Sequence, residues 1–205
     1  LTLTGAGSQT LKFAIPEQAG YEQYTTLQIN ISEGGVLRAD DEEASALRGG
    51  DGGQILVSGN QADLLSGGAG TDTFVVRDAA KSNLTQLDHI VDFAVGEDVL
   101  VSHTYVGAGN FFNPGQLADL EADTLAEALS ADTFTANSGA HFTVETDGVV
   151  RTFVVLNDST AGFDATSDTV IEMTGYTGDL AGLSVIGVPD LSSVVGSSVE
   201  ALMHA

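Results

Sequence analysis

Glycine and aspartate recur together at short spacing in the middle of the chain. Residues 67–75 read GGAGTDTFV. Glycines let the backbone enter left-handed conformations and bring carbonyl oxygens close together in a tight turn. Aspartate adds a hard anionic oxygen, and Ca²⁺ takes about six to eight oxygen ligands. The pattern therefore predicts a turn that binds calcium.

Two imperfect copies of this segment precede it in register. Residues 58–66 read SGNQADLLS and keep one glycine, the aspartate and the apolar residue. Residues 49–57 read GGDGGQILV and keep three glycines, but Gln54 stands where aspartate is expected. A large apolar residue recurs every nine positions and is predicted to point inward from a short strand: Leu47, Leu56, Leu65 and Phe74.

One nonapeptide is too short to encircle a core, so two must form each turn of the chain. Loops two repeats apart then stack on one edge, with the ion between them. We therefore expect loop 49–54 to lie under loop 67–72, with Asp72 as the main carboxylate, Gln54 as a neutral oxygen and Asp51 in compensation. The predicted ligands of this first site are Gly49, Gly50, Asp51, Gly52, Gln54, Gly67, Gly68, Gly70 and Asp72.

The opposite edge carries loop 58–63, which contains Asp63. Its lower neighbour is the acidic segment 40–45, so Asp63, Asp40 and Asp41 form a second candidate site. Its expected upper neighbour, residues 76–81, carries two basic side chains and is not predicted to bind a cation.

The charge balance points in the same direction. Six basic and twenty-nine acidic residues give a net charge of −23. This excess of negative charge makes nucleic acid and anionic membrane surfaces poor partners. The acidic side chains also repel one another when the chain compacts. Multivalent cations would offset this repulsion, although an acidic, highly soluble surface is an equal alternative. The chain has no cysteine and no apolar stretch long enough to span a membrane.

The coarse pattern predicts a mostly β fold with one or two short helices. Strands are indicated by alternating positions before residue 40 and at Leu87, His89, Val91 and Phe93. Three further strands are expected near residues 141–146, 152–156 and 169–173. Asn113-Pro114 is interpreted as a helix cap and first turn, followed by a buried stripe of Leu117, Leu120, Leu125 and Leu129. The expected segments are 1–46, an N-terminal β segment; 47–76, the repeats; 77–187, a β-rich cap with a helix near 114–130; and 188–205, an amphipathic tail.

Residues 47–76 resemble the RTX (repeats-in-toxin) family of calcium-binding β-roll proteins, whose nonapeptide this is. The segment 88–100, DHIVDFAVGEDVL, is similar to the one that follows the roll in serralysin-type C-terminal domains. Residues 152–186 are similar to the β-rich ends of RTX surface proteins. The resemblance implies a short parallel calcium β-roll (a β-solenoid) flanked by further strands.

Two further groups of polar residues are weaker candidates for calcium ligands. Asp88, Asp92 and Asp98 lie in the segment after the repeats. A second cluster lies farther along the chain, and for it ordinary Asx-turn chemistry is the favoured alternative; its members are Asn157, Asp158, Asp164 and Asp168.

The resemblance implies export by a type I secretion machine, with calcium-driven folding outside the cell. The tail 190–203 is either the export signal or a packing helix. We therefore expect a calcium-binding structural and secretion module of a secreted or cell-surface bacterial protein, of the surface-layer or adhesin type. Its expected partners are calcium ions, the type I secretion machinery, and other copies of itself or a cell-surface glycan.

Two alternatives stay open. The chain is either the export domain of a secreted hydrolase whose catalytic domain lies upstream, or a calcium-dependent carbohydrate-binding module. The four histidines are scattered, and neither H-E-x-x-H nor G-x-S-x-G occurs. The sequence therefore favours a module that is not itself an enzyme.

Overall fold

The computed structural model describes residues 8–12, 26–30, 35–76, 82–107, 109–180 and 182–187. This part of the chain folds mostly into short β-strands with one helix. In chain order the elements are β1 Ser8–Lys12, β2 Thr26–Asn30, β3 Gly35–Arg38, β4 Ser45–Arg48, β5 Gln54–Val57, β6 Leu64–Ser66, β7 Thr73–Val76, β8 Asp88–Ile90, β9 Val99–Ser102, β10 Phe111–Leu117, α1 Ala122–Ala128, β11 Gly139–Thr146, β12 Val149–Leu156, β13 Thr169–Met173 and β14 Val185–Gly187.

Successive strands from β2 to β9 alternate between two sheets. The nine-stranded sheet has the order β1-β2-β4-β6-β8-β13-β12-β11-β10, and the five-stranded sheet has the order β14-β9-β7-β5-β3. Each strand from β2 to β7 pairs in parallel with the strand two places farther along the chain. Two consecutive repeats thus supply one strand to each sheet, and loops at the two edges join them.

The apolar series that recurs every nine residues forms the core between the sheets. Leu47 pairs with Leu65, and Leu56 pairs with Phe74, as the spacing predicts. Their side chains are at most 1% exposed, whereas the neighbouring Leu64 is only half-buried. The structure extends the series at both ends with Leu37, Ile90 and Leu100.

The nine-residue spacing breaks after β7, and there the predicted phase was wrong. The alternation proposed for 87–93 placed His89 in line with the apolar positions. Instead Ile90 pairs with Leu65 and is buried, and His89 is only half-buried. Leu65 and Ile90 are twenty-five residues apart rather than eighteen, because extra residues separate β7 from β8.

The three strands predicted near 141–173 are present as β11, β12 and β13. β11 and β12 form an antiparallel hairpin that turns at Asp147 and Gly148, both at positive φ, as a two-residue Asp-Gly turn requires. β13 joins this hairpin to β8. One face of these strands continues the core between the sheets, through Val154 and Ile171. The other face forms a second core with α1.

The helix predicted near 114–130 is much shorter, since α1 spans only Ala122–Ala128. Pro114 lies within strand β10, and Asn113 accepts a hydrogen bond from the Gly115 N–H, so this pair forms a turn inside a strand and not a helix cap. β10 is the last strand of its sheet, where a proline is tolerated. Of the predicted stripe, Leu125 and Leu129 are buried, and Leu117 and Leu120 pack against the same core from outside the helix.

Within the described part of the chain, no helix is long and apolar enough to cross a membrane. The amphipathic tail 188–205 lies outside the described residues. So do residues 1–7, 13–25 and 31–34 of the predicted N-terminal β segment.

Candidate metal centre

A first stack of loops lies along one edge of the two sheets. Loop 49–54 lies under loop 67–72, as the repeat spacing predicts. The Ala69 N–H donates to the Gly50 carbonyl at 3.1 Å, and the Gly52 N–H donates to the Ala69 carbonyl at 2.7 Å. The residues brought together here are the predicted first set, Gly49, Gly50, Asp51, Gly52, Gln54, Gly67, Gly68, Gly70 and Asp72.

A third loop, 93–98, extends this stack. Asp98 accepts a hydrogen bond from the Asp72 N–H at 2.8 Å, just as Asp72 accepts one from the Gln54 N–H at 2.7 Å. Residues 54, 72 and 98 therefore hold the same position in successive loops. Asp92 also joins the stack, because its carboxylate accepts the Gly67 and Gly68 N–H groups at 2.9 Å each.

The sequence analysis treated Asp92 and Asp98 as weaker candidates for calcium ligands, although the spacing around Asp98 resembles that around Asp72. Gly96-Glu97-Asp98 repeats the Gly-x-Asp spacing of Gly70-Thr71-Asp72. The nine-residue register hid the match because extra residues separate the two loops.

The glycines of the first stack hold the loops closer than any other residue would permit. A Cβ atom on Gly49 would lie 2.0 Å from the Gly67 carbonyl oxygen, and one on Gly68 would lie 2.3 Å from that of Gly50. Carbonyl oxygens of one loop thus face the bare Cα atoms of the next. Such backbone oxygens, with the carboxylate of Asp72, are hard donors that fit Ca²⁺.

Negative charge accumulates in this stack. Burial raises the pKa of Asp72, and the nearby carboxylates of Asp98 and Asp92 raise it further, although the hydrogen bond from Gln54 acts in the opposite direction. Ionisation of a buried carboxyl group costs free energy, and a cation beside the group makes that ionisation favourable. Gln54, which replaces an aspartate, is neutral; its side-chain oxygen accepts the Gly50 N–H at 3.2 Å.

A second stack lies on the opposite edge and contains the buried Asp63. Its carboxylate accepts the Ser45 N–H at 2.8 Å and the Gly59 N–H at 2.6 Å. A Cβ atom on Gly59 would lie 2.2 Å from the Asp40 carbonyl oxygen, so segment 40–45 is the lower neighbour, as predicted. Asp40 also accepts the Glu42 N–H, whereas the side chain of Asp41 is exposed.

The upper neighbour of this second stack was predicted wrongly. Asp88 accepts the Asp63 N–H at 3.0 Å, so segment 82–88 lies above loop 58–63. Residues 77–81 lie outside the described part of the chain. Asp88 is fully buried, and burial together with the nearby Asp63 raises its pKa well above the usual value. This edge therefore holds two stacked carboxylates, those of Asp63 and Asp88.

The last candidate group is brought together at the ends of β12 and β13. Asp168 accepts the Asp158 and Asp164 N–H groups at 2.9 and 2.8 Å, and Asp164 accepts the Thr166 N–H. Asn157 instead donates to the Phe134 and Thr135 carbonyls. Burial raises the pKa of Asp168 to about 6. The contact of Asp164 with the Thr166 N–H is an Asx turn, the alternative weighed above, whereas Asp168 accepts N–H groups from four and ten residues earlier, which is not Asx-turn geometry.

Across the described residues, no three His, Cys, Asp or Glu side chains converge in a group that could hold a metal ion. In the loop stacks most of the available oxygens belong to the backbone, and the aspartates accept N–H groups of adjacent loops. Any ion between these loops would depend mainly on carbonyl oxygens, which a side-chain cluster would not reveal.

Comparison with known families agrees with this arrangement. Residues 6–110 match a family model described as Peptidase M10 serralysin C terminal, which covers just over half of the 205 residues. The chain belongs to the serralysin C-terminal family. A search of curated proteins found no match.

Serralysin C-terminal domains are calcium-binding, RTX-type secretion domains and form the non-catalytic part of secreted proteases. The resemblance drawn from the nonapeptide and from segment 88–100 is therefore confirmed. Both loop stacks lie inside the matched residues. Strands β10 to β14 lie beyond them.

Proposed function

We propose that this serralysin C-terminal domain is a short calcium β-roll that folds when Ca²⁺ enters its loop stacks after export. The observation that carries the proposal is the close approach of stacked loops. Glycine Cα atoms of one loop meet carbonyl oxygens of the next, at positions where a Cβ would lie 2.0 to 2.3 Å from the oxygen.

The first stack is the main proposed site. Carbonyl oxygens of loops 49–54 and 67–72, with the carboxylate of Asp72, would hold an ion between them. Asp92 and Asp98 give the upper part of this stack more negative charge than the repeat alone predicts. In the second stack, Asp63, Asp88 and the carbonyl of Asp40 are the proposed donors.

Charge and location support folding that depends on calcium. A net charge of −23 opposes compaction, and bound divalent ions reduce that repulsion. Extracellular calcium modules bind with dissociation constants of about 10⁻⁴–10⁻³ M, too weakly to fill in the cytosol. The chain would therefore stay open during type I export and fold outside the cell.

The parent protein decides between two forms of this function. In the first, the module is part of a surface-layer protein or adhesin, which the β-rich region beyond residue 110 favours. In the second, it is the export domain of a secreted hydrolase, which the serralysin relationship favours. Both forms use the same calcium-dependent module.

Calorimetric titration of the chelator-treated chain tests the proposal. We expect Ca²⁺ to bind at more than one site, and Mg²⁺ at equal concentration to bind far more weakly, because Mg²⁺ demands near-octahedral geometry and releases water reluctantly. Absence of Ca²⁺ binding at millimolar concentration would refute the assignment.

A further inference from the structure

A groove separate from the loop stacks lies on the C-terminal strands. Its volume is about 350 Å³, within the range of small-ligand sites. His141 and Thr143 of β11, with Thr152 of β12, form its floor. One wall is formed by the edge strand β10, which contributes Asn113 and Gln116.

The opposite wall is segment 176–180, which several contacts fix in place. The Thr152 hydroxyl donates to the Tyr176 carbonyl at 2.8 Å, and the Tyr176 hydroxyl donates to the Asp179 carbonyl at 3.1 Å. Gly178 lets the ring lie close, since a Cβ there would be 2.7 Å from the Tyr176 hydroxyl oxygen. Tyr176 also packs against the main core, so the wall is formed before any ligand arrives.

The polar groups of the groove suit a neutral ligand with many hydroxyl groups. Amide, hydroxyl and imidazole groups both donate and accept hydrogen bonds, as sugar hydroxyls do. Burial lowers the pKa of His141, although the nearby carboxylate of Asp179 acts in the opposite direction, and this favours the neutral ring. The Tyr176 ring adds an apolar face against which the C–H groups of a sugar can pack.

Other ligand classes fit the groove less well. The lining residues include the carboxylate of Asp179 and neither Lys nor Arg, which disfavours anions. A peptide strand could not extend the sheet regularly past β10, because Pro114 lacks an N–H and the pairing shifts between Phe112 and Gly115.

We propose that the groove between β10, β11 and segment 176–180 binds a neutral carbohydrate. The site lies outside the residues matched by the serralysin family and uses none of the loop-stack residues. It would give the exported module a means of attachment to glycans. Its failure would leave the calcium proposal untouched, and the reverse also holds, because the two rest on separate titrations.

The test is a printed array of neutral and acidic glycans, probed with the calcium-loaded chain, followed by titration of the best neutral glycan. His141→Ala and Thr143→Val should each weaken its binding about tenfold, since each removes a hydrogen-bonding group from the floor. His103→Ala, a change at an exposed histidine outside the groove, is the matched control and should bind like the unmodified chain. Thermal melts of each variant separate lost contacts from lost folding.

Choline, a cationic probe, tests the competing ligand class. Asp179→Asn should keep carbohydrate binding within about tenfold, because an amide still forms hydrogen bonds. The proposal is overturned if the array shows no neutral glycan, if both floor variants bind it normally, or if choline alone binds and Asp179→Asn abolishes that binding.

Discussion

At the scale of single residues, one aspartate geometry recurs through the molecule. Asp63, Asp98 and Asp168 each accept the N–H of the residue four positions earlier and a second N–H from a neighbouring segment. The carboxylate thus forms one hydrogen bond within its own turn and another with a neighbouring segment. Asp72 shares the second contact and stands in the one complete nonapeptide.

The substitution Asp72→Asn separates the hydrogen bonding of this side chain from its negative charge. The amide oxygen can still accept the Gln54 N–H, but the negative charge is lost. We expect calcium affinity to fall by at least about tenfold, or about 1.4 kcal/mol, with little change in the circular dichroism of the calcium-saturated protein. Asp63→Asn should weaken calcium binding less, because its loop retains only one repeat glycine.

Calorimetric titration provides the measurement, with Asp123→Asn on the exposed face of α1 as the control. An affinity unchanged in Asp72→Asn would mean that the first stack is not the tightest site.

Residue spacing predicted part of this site and missed the rest for a physical reason. The pairing of Leu47 with Leu65 and the stacking of loops 49–54 and 67–72 follow from an uninterrupted nine-residue register. Once extra residues enter after Val76, the register no longer tells which residue lies above which. The nine-residue register alone therefore could not place Asp98 over Asp72.

At the scale of elements, the closeness of the stacked loops decides the geometry of the proposed roll. Gly68 and Gly96 both have positive φ, at 98° and 88°. A Cβ on Gly68 would lie 2.3 Å from the Gly50 carbonyl oxygen, whereas one on Gly96 would meet nothing within 4 Å. The two positions share backbone strain and differ in their neighbours.

Alanine at these two glycines should therefore have unequal effects. Both variants place an alanine at positive φ, in the left-handed region, which costs about 1–2 kcal/mol. Gly68→Ala must also push the loops apart, so we expect a clearly larger fall in the free energy of unfolding and weaker calcium binding. Chemical denaturation in the presence of calcium measures the difference. Equal losses would show that the stacked loops do not need their close approach.

The inward apolar series gives a second test at this scale. Leu65 is fully buried and Leu64 only half-buried, although they are adjacent in β6. Leu65→Ala should cost about 2–5 kcal/mol of unfolding free energy and Leu64→Ala much less. Urea unfolding of the calcium-loaded variants checks this, and a larger loss at Leu64 would contradict the phase of the strand.

Elements beyond the repeats were predicted unevenly. Short apolar runs located β11, β12 and β13, because the two faces of β12 and β13 pack against two different cores. The helix near 114–130 was overextended because Asn113-Pro114 forms an equally good turn inside an edge strand. Local propensity cannot distinguish these uses, since the pairing of β10 with β11 depends on residues almost thirty positions away.

At the scale of the whole molecule, a buried ionic group joins the repeats to the C-terminal strands. Glu172 of β13 lies 3.2 Å from the His89 ring of β8 and pairs with Arg151 of β12. Burial alone would raise the pKa of Glu172, but the hydrogen bonds and charges of His89 and Arg151 outweigh it and lower the pKa to about 2. The ionised form of Glu172 therefore stabilises the junction.

Glu172→Gln should weaken this junction in a pH-dependent way. The stabilisation is fully present above the usual glutamate pKa of 4.5 and is lost as pH falls through about 2. We expect a loss of about 2 kcal/mol at pH 7 that shrinks between pH 4.5 and 2. Melting temperatures across this range provide the measurement, with Glu127→Gln on α1 as the control. A loss independent of pH would assign the effect to packing instead of charge.

Calcium-dependent folding is the central claim, and it belongs to the whole molecule. Both loop stacks contain stacked aspartates, which accept N–H groups of adjacent loops, while the chain carries a net charge of −23. Removal of calcium should therefore leave a repelling, poorly packed chain. Because ligand binding stabilises the folded state by mass action, the effect should grow with calcium concentration.

The most direct measurement follows the melting temperature and far-ultraviolet circular dichroism of chelator-treated protein as Ca²⁺ is added. We predict a gain of β signal and a melting temperature that rises progressively with calcium up to millimolar concentrations, with Mg²⁺ much less effective. A metal-free protein that is already compact, rich in β-structure and equally stable would contradict the account.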